Sequence, residues 1–542
     1  MGIAVPLVSA DVLDQRFDVC IAGAGPAGLA CAFACHERGL RVLLLDAGPR
    51  RPVPGSPDIL AAEITNTKAH DPVEIVAAAA LGGTSHWWGG RSVPLDAVDL
   101  REWPVSWEEL LPWWRYAAEL IGAGSILQSP PGASFTKLRH FKASGFETWA
   151  PEQMLAHRWR RRILAPHGPA ILLHTRVTGM KRDGGRITRL ELLTPAGPRT
   201  ARAEHFVLTC GGLGGLRLLL MAQQADPSLF GGRSGPLGRG YMGHLSGSLA
   251  DLVFTNPDDA AAFSFIDLGG RYMARRRIQP TAATIEREGA VNAAFWLDSP
   301  ERGVATHGSA VASARFLAGC GVRLLAGELN SSQLPPLGPH LANVARSPLA
   351  GVAGVSHAAW TLAAARLTRQ RYLPRRFLAA NGGWRLVYHA EQRRDPANRI
   401  SLALTRDSIG LPKLKIDFRY SEADAAAVVR VHELLDEDLR ASGAGSLRWS
   451  CTDRAATVIG LAHDGYHQLG GAIMSADARN GVVDRYCRAH GLDNFWIVSG
   501  SVFPTGGQAN PTLTIIALAC RTADRIAAVH SARVRRVESQ AF

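Results

Sequence analysis

Residues 17–28 read Phe-Asp-Val-Cys-Ile-Ala-Gly-Ala-Gly-Pro-Ala-Gly, an apolar run that ends in a glycine-rich turn. The first six residues predict a short buried strand, and an apolar helical pattern follows over residues 29–38. Gly39 ends that helix, and residues 41–45 (Arg-Val-Leu-Leu-Leu) predict a second strand that runs into Asp46. This strand–turn–helix–strand order indicates an α/β fold that starts with a parallel sheet.

The turn carries the spacing Gly23-x-Gly25-x-x-Gly28, which binds dinucleotides when it lies between a strand and a helix. The glycines allow a tight turn, close approach of a pyrophosphate, and close packing of helix on strand. Asp46, 18 residues after Gly28, stands where a ribose-binding acid is expected. The same spacing recurs over residues 238–243 after Gly-Pro, and we interpret that copy as a loop. Because the first copy stands early and no second copy follows a strand, FAD is favoured over NAD(P).

Composition narrows the range of partners. The 542 residues carry a net charge of +13, but they contain no block of five like charges and no nucleic-acid motif, so we expect no nucleic-acid partner. No run of about 18 apolar residues occurs, so we expect no integral membrane segment. The eight cysteines form no Cys-x-x-Cys pair and lie mostly in apolar runs, which favours free thiols and a cytoplasmic location.

Several later stretches carry a resemblance to a known family. A second glycine cluster, Leu-Gly-Gly-Thr-Ser-His-Trp-Trp-Gly-Gly-Arg, spans residues 81–91. Related stretches follow at residues 206–215, 398–412, 467–471 (His-Gln-Leu-Gly-Gly) and 502–514 (Val-Phe-Pro-Thr-Gly-Gly-Gln-Ala-Asn-Pro-Thr-Leu-Thr). In this order they make the chain similar to the glucose–methanol–choline (GMC) oxidoreductases, flavoproteins that oxidise alcohols. More narrowly, the chain resembles the sugar-oxidising branch that holds pyranose oxidase and the gluconate and fructose dehydrogenase flavoprotein subunits.

The resemblance implies an α/β fold, a doubly wound Rossmann-like FAD-binding domain with an inserted α+β substrate-binding domain. The FAD-binding domain would be discontinuous, over residues 14–110, 160–245 and 455–535. The substrate-binding domain would take residues 245–455, with parts of residues 110–160.

Removal of hydride from an alcohol carbon needs a base for the hydroxyl proton, and histidine suits that task because its pKa is near 6.5. His467 matches the family's catalytic histidine, and we predict that it takes the proton while flavin N5 takes the hydride. Asn510 matches the family's second active-site position, and we predict that it orients the substrate oxygen, caps the following helix, or does both. Pro511 suits the first turn of a helix from Thr512, whose N-terminus would face the flavin.

The predicted cofactor-binding residues come from the first motif and from the later stretches. They are Gly23, Gly25, Gly28, Asp46, Gly83, Thr84, Ser85, Val177, Ser501, Pro511 and Thr512. Some relatives link FAD covalently to a histidine at a position that is Trp87 here, one residue after His86, so non-covalent FAD is favoured. His463 and His467 are four residues apart, as in a helical metal pair, but Gly465 lies between them and no metal is expected.

The sequence therefore predicts an FAD-dependent oxidoreductase that acts on CH–OH groups and gives a ketone or aldehyde. The predicted substrate is a sugar, amino sugar, glycoside or polyol. Two alternatives stay open, an oxidase of a steroid or other apolar alcohol and a redox-neutral flavoprotein lyase. The electron acceptor (O2, a quinone or a redox partner) and the oligomeric state are left undetermined.

Overall fold

The computed structural model describes residues 8–53, 61–125, 135, 137–268, 272–301, 303–325, 336–368 and 377–540. Its strands, in chain order, are β1 Phe17–Ala22, β2 Val42–Leu45, β3 Ala62–Ile64, β4 Arg91–Ser92, β5 Phe141–Trp149, β6 Ala170–Leu172, β7 Arg176–Asp183, β8 Arg186–Thr194, β9 Gly197–Ala201, β10 Ala203–Leu208, β11 His244–Phe254, β12 Ile266–Asp267, β13 Met273–Pro280, β14 Ala293–Asp298, β15 Trp384–Glu391, β16 Arg399–Arg406, β17 Pro412–Asp417, β18 Gly445–Trp449 and β19 Phe495–Ile497.

Its helices, in chain order, are α1 Pro26–His36, α2 Val73–Val76, α3 Trp107–Ile121, α4 Leu155–Arg158, α5 Arg160–Ile163, α6 Gly211–Ala225, α7 Ala282–Glu288, α8 Ala310–Leu325, α9 Gly338–Arg346, α10 Pro348–Thr368, α11 Glu422–Ala441, α12 Arg454–Leu461 and α13 Thr512–Gln540. Two short 3-10 turns, Gly83–His86 and Gly500–Val502, border the site described below. Over the described ranges, no helix combines the length and the apolar character needed to cross a bilayer.

A five-stranded sheet forms around the first glycine motif, in the order β19-β10-β1-β2-β6. Every neighbouring pair in it is parallel. The strands β1 and β2 are almost continuously apolar and buried, as a sheet covered on both faces requires. On the sheet, α1 packs against α13, and β8 of the antiparallel β7-β8-β9 unit contacts β10. The predicted α/β fold class is confirmed, with the first helix beginning at Pro26 and the second strand at Val42.

A second sheet is built by antiparallel pairing, in the order β18-β11-β15-β14-β13-β5-β4, with β12 beside β13. Most of its strands come from residues 244–449, but β4 and β5 come from residues 91–149. The helices α11 and α12 contact its β18 and β11 ends. The proposed residue boundaries of the two domains stay a prediction.

The two sheets meet at one cavity. Loops that follow β1, β2, β10 and β19 reach its wall, as expected for ligand sites at the carboxyl ends of parallel strands. The strands β11, β14 and β15 of the second sheet add Ser246, Trp296 and His389 to that wall. The predicted loop over residues 238–243 is also confirmed, because those residues lie in turns and single bridges rather than at a strand–helix junction.

Candidate active site

The first glycine motif leaves no room for side chains. Gly23 has φ +104°, and a Cβ there would lie 2.6 Å from the Thr209 carbonyl oxygen. A Cβ on Gly28 would lie 1.8 Å from the Gly23 carbonyl oxygen, so α1 packs directly on the end of β1. Pro26 and Ala27, in the first turn of α1, line the cavity, and the free N–H groups of a first turn attract an anion such as pyrophosphate.

Asp46 follows β2 and is held rigidly at the same end of the cavity. Its Oδ2 accepts a hydrogen bond from the Ala24 N–H at 2.7 Å, and its Oδ1 accepts one from the Gly48 N–H at 2.8 Å. Burial raises the pKa of this carboxyl above its ordinary value. A buried carboxylate beside the glycine turn fits the acid that binds a nucleotide ribose.

The cavity has a volume of about 630 Å³ and collects most of the predicted site residues. Those on its wall are Gly23, Gly25, Asp46, Gly83, Thr84, Ser85, Val177, His467, Asn510, Pro511 and Thr512. The other two lie just behind it: Gly28 packs α1 on β1, and the hydroxyl of Ser501 lies 2.7 Å from that of Ser499, a wall residue. The dinucleotide motif and the predicted base therefore share one enclosed space.

The second glycine cluster closes against the first. Gly83 has φ +52°, and a Cβ there would lie 2.8 Å from the Cα of Gly25. The Ser85 hydroxyl donates to the Gly82 carbonyl at 2.6 Å and fixes the turn. The Nε2 of His86 lies 3.0 Å from the Leu81 carbonyl oxygen, so that nitrogen already has a partner within its own loop.

His467 and Asn510, 43 residues apart in sequence, meet on the wall of the cavity. The Asn510 Nδ2 lies 3.2 Å from the His467 Nε2, and the Asn510 Oδ1 is buried without a hydrogen-bond partner among the described residues. A substrate hydroxyl that displaced the Asn510 amide from this contact would meet the ring nitrogen and the amide donor. The structure brings the two residues together, and their roles as base and orienting amide stay a prediction.

A second histidine stands directly behind the first. His244, the first residue of β11, places its Nδ1 3.0 Å from the His467 Nδ1 and its Nε2 3.1 Å from the Gly507 carbonyl oxygen. Burial, together with the neighbouring His467 ring, lowers the pKa of His244 to about 3, so this ring is neutral near pH 7. Sequence reasoning missed His244, because no spacing ties it to residue 467.

A third histidine completes the cluster. The His389 ring stacks on His244 with centroids 4.2 Å apart, and its Nδ1 lies 2.9 Å from the Gln508 carbonyl oxygen. Consecutive carbonyls of the loop before Asn510 thus hold both buried rings. Burial and the neighbouring His244 and His467 rings lower the pKa of His389 well below its ordinary value.

Asp464 fixes the turn that carries His467. Its Oδ1 accepts from the backbone N–H groups of residues 465, 466 and 467 at 2.7–3.1 Å, and its Oδ2 accepts from the His244 N–H at 2.9 Å. The same Oδ2 lies 3.4 Å from the His467 Nδ1. Burial alone would raise the pKa of Asp464, but the His467 ring and these hydrogen bonds hold it far below its ordinary value. An Asp-Gly turn three residues before a histidine is a signal that sequence reasoning could have used.

One nitrogen of each of His244, His389 and His467 lies within 4.8 Å of the others, a spacing at which a metal ion is conceivable. Two of the three rings already bond to backbone carbonyls, and the His244 and His467 Nδ1 atoms are at hydrogen-bond distance from each other. The contacts therefore describe a hydrogen-bonded pair of imidazoles, His244 and His467, with His389 stacked on His244. His463, the partner suggested by spacing, instead bonds through Nδ1 to the Leu461 carbonyl at 3.0 Å.

Comparison with known proteins finds two family models that each match part of the chain. A family model for an FAD-binding domain matches residues 18–236, and the model for the GMC oxidoreductases matches residues 395–519. The C-terminal part of the chain is therefore similar to the GMC oxidoreductases, and the N-terminal part is similar to an FAD-binding domain. Since the FAD-binding match covers the first glycine motif and Asp46, the cofactor is FAD, as the sequence predicted.

Individual relatives are more distant. The chain is 35% identical over 130 residues to 6'''-hydroxyparomomycin C oxidase of Streptomyces lividus, a match that covers 24% of this chain and 22% of that one. It is 23% identical to 2-methyl-1,2-propanediol dehydrogenase of Mycolicibacterium austroafricanum, over 94% of this chain and 95% of that one. Among solved structures, an FAD-dependent oxidoreductase from Chaetomium thermophilum superposes with a TM-score of 0.52 at 16% identity, covering 95% of this chain and 100% of that one.

Proposed function

We propose that the protein oxidises the CH–OH group of a sugar-like, amino-sugar, glycoside or polyol alcohol to a ketone or aldehyde. The single observation that carries the proposal is the pairing of His467 Nε2 with Asn510 at 3.2 Å on the wall of the FAD cavity. Bound FAD would supply the oxidant, because its flavin accepts the hydride that leaves the substrate carbon.

Residues along the cavity would hold FAD without a covalent link. Asp46 would take the ribose hydroxyls, the turn from Gly23 and the start of α1 would take the pyrophosphate, and the loop at Gly83 would cover the ring system. The remaining wall residues assigned to the cofactor are Thr84, Ser85, Val177, Pro511 and Thr512. The bond from His86 to Leu81 supports the non-covalent assignment, because it occupies one of the two nitrogens of the His86 ring.

The hydrogen bonds assign the proton on the His467 ring. A carbonyl only accepts, so the His244 nitrogen at 3.1 Å from the Gly507 carbonyl, Nε2, carries that ring's proton. The His244 Nδ1 is then bare, and the His467 Nδ1 at 3.0 Å must donate to it. His467 consequently presents a bare Nε2 toward Asn510, and this lone pair would remove the substrate hydroxyl proton.

The same hydrogen bonds favour the charged His467 ring that results from this proton transfer. Once Nε2 takes the proton, His467 is an imidazolium whose Nδ1 proton lies between the His244 lone pair and the Asp464 carboxylate. Asp464 stays ionised, since its pKa is held far below the ordinary value. The amide of Asn510 would hold the substrate oxygen while its proton leaves.

The remaining expectations are part of the proposal. The eight cysteines are all free and most are buried, which supports a reducing compartment and hence the cytoplasm. The electron acceptor is O2, a quinone or a redox partner. The second sheet, with its histidines and Trp296 on the cavity wall, is proposed as the core of the substrate-binding domain.

The test is anaerobic reduction of the bound flavin by a panel of alcohols, followed as loss of the flavin absorbance. We expect bleaching by sugar-like alcohols, and a rate about 10²–10⁴ lower for His467→Ala because the base is gone. His167→Ala, which removes an exposed histidine, is the control and should reduce at the wild-type rate.

Three outcomes would contradict the proposal. Reduction of His467→Ala at the wild-type rate, with FAD bound, would show that this histidine is not the base. Bleaching by sterols alone would assign an apolar alcohol as substrate. No bleaching by any alcohol would leave a redox-neutral lyase as the better function.

A further inference from the structure

Three arginines converge on one buried glutamate beside the cavity. In the second sheet Arg275 of β13 pairs directly with Glu147 of β5, and Arg277 lies two residues along on the same face. Arg91 of β4 pairs with Trp149, which stands two residues after Glu147. The Arg275 Nε donates to Glu147 Oε1 at 2.9 Å, while the Nε atoms of Arg277 and Arg91 lie 3.6 Å and 3.7 Å from Oε2.

The cluster carries more positive than negative charge. Burial alone would raise the pKa of Glu147, but the three arginines lower it to about 2, so it is ionised. Burial lowers the pKa of Arg275 and of Arg277 to about 10, so both stay protonated near pH 7. The next acids that act on these arginines are Asp298 and Asp96. Asp96 is already paired with Lys142 at 3.1 Å.

The hydrogen bonds also show too few acceptors for the arginines of this cluster. Arg277 is fully buried, yet its Nε and Nη1 have no hydrogen-bond partner in the described part of the chain. The Arg91 guanidinium forms no side-chain hydrogen bond with any described residue beyond its long contact to Glu147. Buried guanidinium groups are costly unless an anion balances them, so this cluster favours a negative ligand.

Arg91 is the member of the cluster that lines the cavity. It lies on the cavity wall with Trp296 and His389, and 21% of its side chain is exposed. Its guanidinium is held over the Trp296 ring at 4.6 Å and over the Trp149 ring at 5.0 Å. It also acts on the imidazole cluster, since its charge helps to lower the pKa of His389. A planar guanidinium fixed in this way suits a carboxylate, which it binds through two parallel hydrogen bonds.

We propose that Arg91, backed by Arg275 and Arg277, selects an alcohol that carries a carboxylate, such as a sugar acid, over neutral and cationic alcohols. This inference rests on the proposed alcohol oxidation and narrows its substrate class. Amino sugars, which the sequence left among the candidates, carry an ammonium group that the same cluster repels.

The test measures binding to the FAD-loaded protein without turnover, from the change in flavin absorbance on titration. The probes are D-gluconate, its neutral counterpart D-sorbitol, the cation D-glucosamine, and acetate as a minimal carboxylate. We expect acetate to bind, and D-gluconate to bind about 10–100-fold tighter than D-sorbitol, the range of a hydrogen-bonded charge pair. D-Glucosamine should bind more weakly than D-sorbitol.

Three variants test whether the preference for D-gluconate depends on Arg91. Arg91→Gln should abolish the preference for D-gluconate, Arg91→Lys should keep part of it, and Arg479→Gln, which removes an arginine whose side chain is 90% exposed, should keep all of it. If Arg91→Gln does not hold FAD, the Arg91→Lys protein and the wild-type selectivity still decide the question.

Several results would overturn the inference. One is that the wild type binds D-gluconate no more tightly than D-sorbitol. Another is that Arg91→Gln keeps the wild-type preference for D-gluconate over D-sorbitol. If Arg91→Gln slows flavin reduction equally with acidic and neutral alcohols, then Arg91 stabilises charge that forms during the reaction and does not select the substrate. A carboxylate preference without bleaching by any alcohol would refute the oxidation and leave the anion site standing.

Discussion

At His467 the side of the ring that carries the proton decides whether it can act as a base. The ring has no preference of its own strong enough to guarantee a bare Nε2, so a neighbour must impose it. His244 does so because its own proton is committed to the Gly507 carbonyl, 3.1 Å away. We therefore propose that His244 positions the proton of the His467 ring without touching the substrate.

The prediction at this scale concerns His244. His244→Leu removes the acceptor for the His467 Nδ1 proton, so we expect about tenfold slower flavin reduction with FAD still bound. His244→Asn keeps an oxygen near the position of Nδ1 and should recover most of the rate. Spectra of protein labelled with ¹⁵N-histidine, with His467→Ala used for assignment, should show the Nδ1-protonated form in the wild type and a mixture in His244→Leu. Flavin reduction in His244→Leu at the wild-type rate would refute this role. A proton on Nε2 of His467 in the wild-type protein would refute it as well.

At the scale of structural elements, the loop over residues 503–511 explains why two consecutive glycines, Gly506 and Gly507, precede α13. Gly507 has φ +57°, and a Cβ there would lie 2.4 Å from the Asp99 Oδ2. In that conformation the carbonyls of Gly507 and Gln508 face His244 and His389, and the chain then delivers Asn510 to the cavity. The loop therefore links the Asn510 amide to the His244 and His389 rings.

Gly507→Ala tests this loop. The substitution should lower the melting temperature and slow flavin reduction. An alanine at residue 507 would have a left-handed backbone conformation, which costs about 1–3 kcal/mol, and its Cβ would also clash with Asp99. Gly443→Ala is the matched control, since Gly443 has φ +66° with nothing within 4 Å of its Cβ position. It should lose some stability to the same strain while its reduction rate stays at the wild-type value. Equal effects of the two substitutions on the rate would mean that the loop conformation does not position the site.

The elements also show what local sequence patterns can and cannot predict. The first strand, the glycine turn, Asp46 and the start of α13 could be predicted because each depends on residues close together in the chain. The pairing of His467 with Asn510 needed the family resemblance. His244, His389 and the arginine cluster were missed, because only the register of separate strands brings them together.

On the scale of the whole molecule, stability depends on a partly buried acid near the loop. The Glu391 Oε1 accepts from the Gly507 N–H at 3.3 Å, and burial raises the pKa of this carboxyl from 4.5 to about 7. Between these values the folded protein keeps a proton that the unfolded chain releases. Its contribution to stability is therefore full below pH 4.5 and is lost as the pH rises toward 7.

Glu391→Gln should remove this dependence. We expect the melting temperature of the wild type to fall relative to that of Glu391→Gln as the pH rises from 5 to 7, by an amount equivalent to at most about 3 kcal/mol. Thermal unfolding of the two FAD-loaded proteins across that range measures it. Parallel pH curves would show that Glu391 is already ionised in the folded state.

Chain order within the parallel sheet has a consequence for biosynthesis. The strand β10 ends at Leu208, but its outer neighbour β19 begins only at Phe495. At a synthesis rate of about 5–20 residues per second, roughly 15–60 seconds separate the emergence of these two strands from the ribosome. Throughout that interval the edge of β10 is unpaired and open to misassociation with other nascent chains. Slow translation or scarce chaperones should therefore reduce the yield of the protein more than its final stability would suggest.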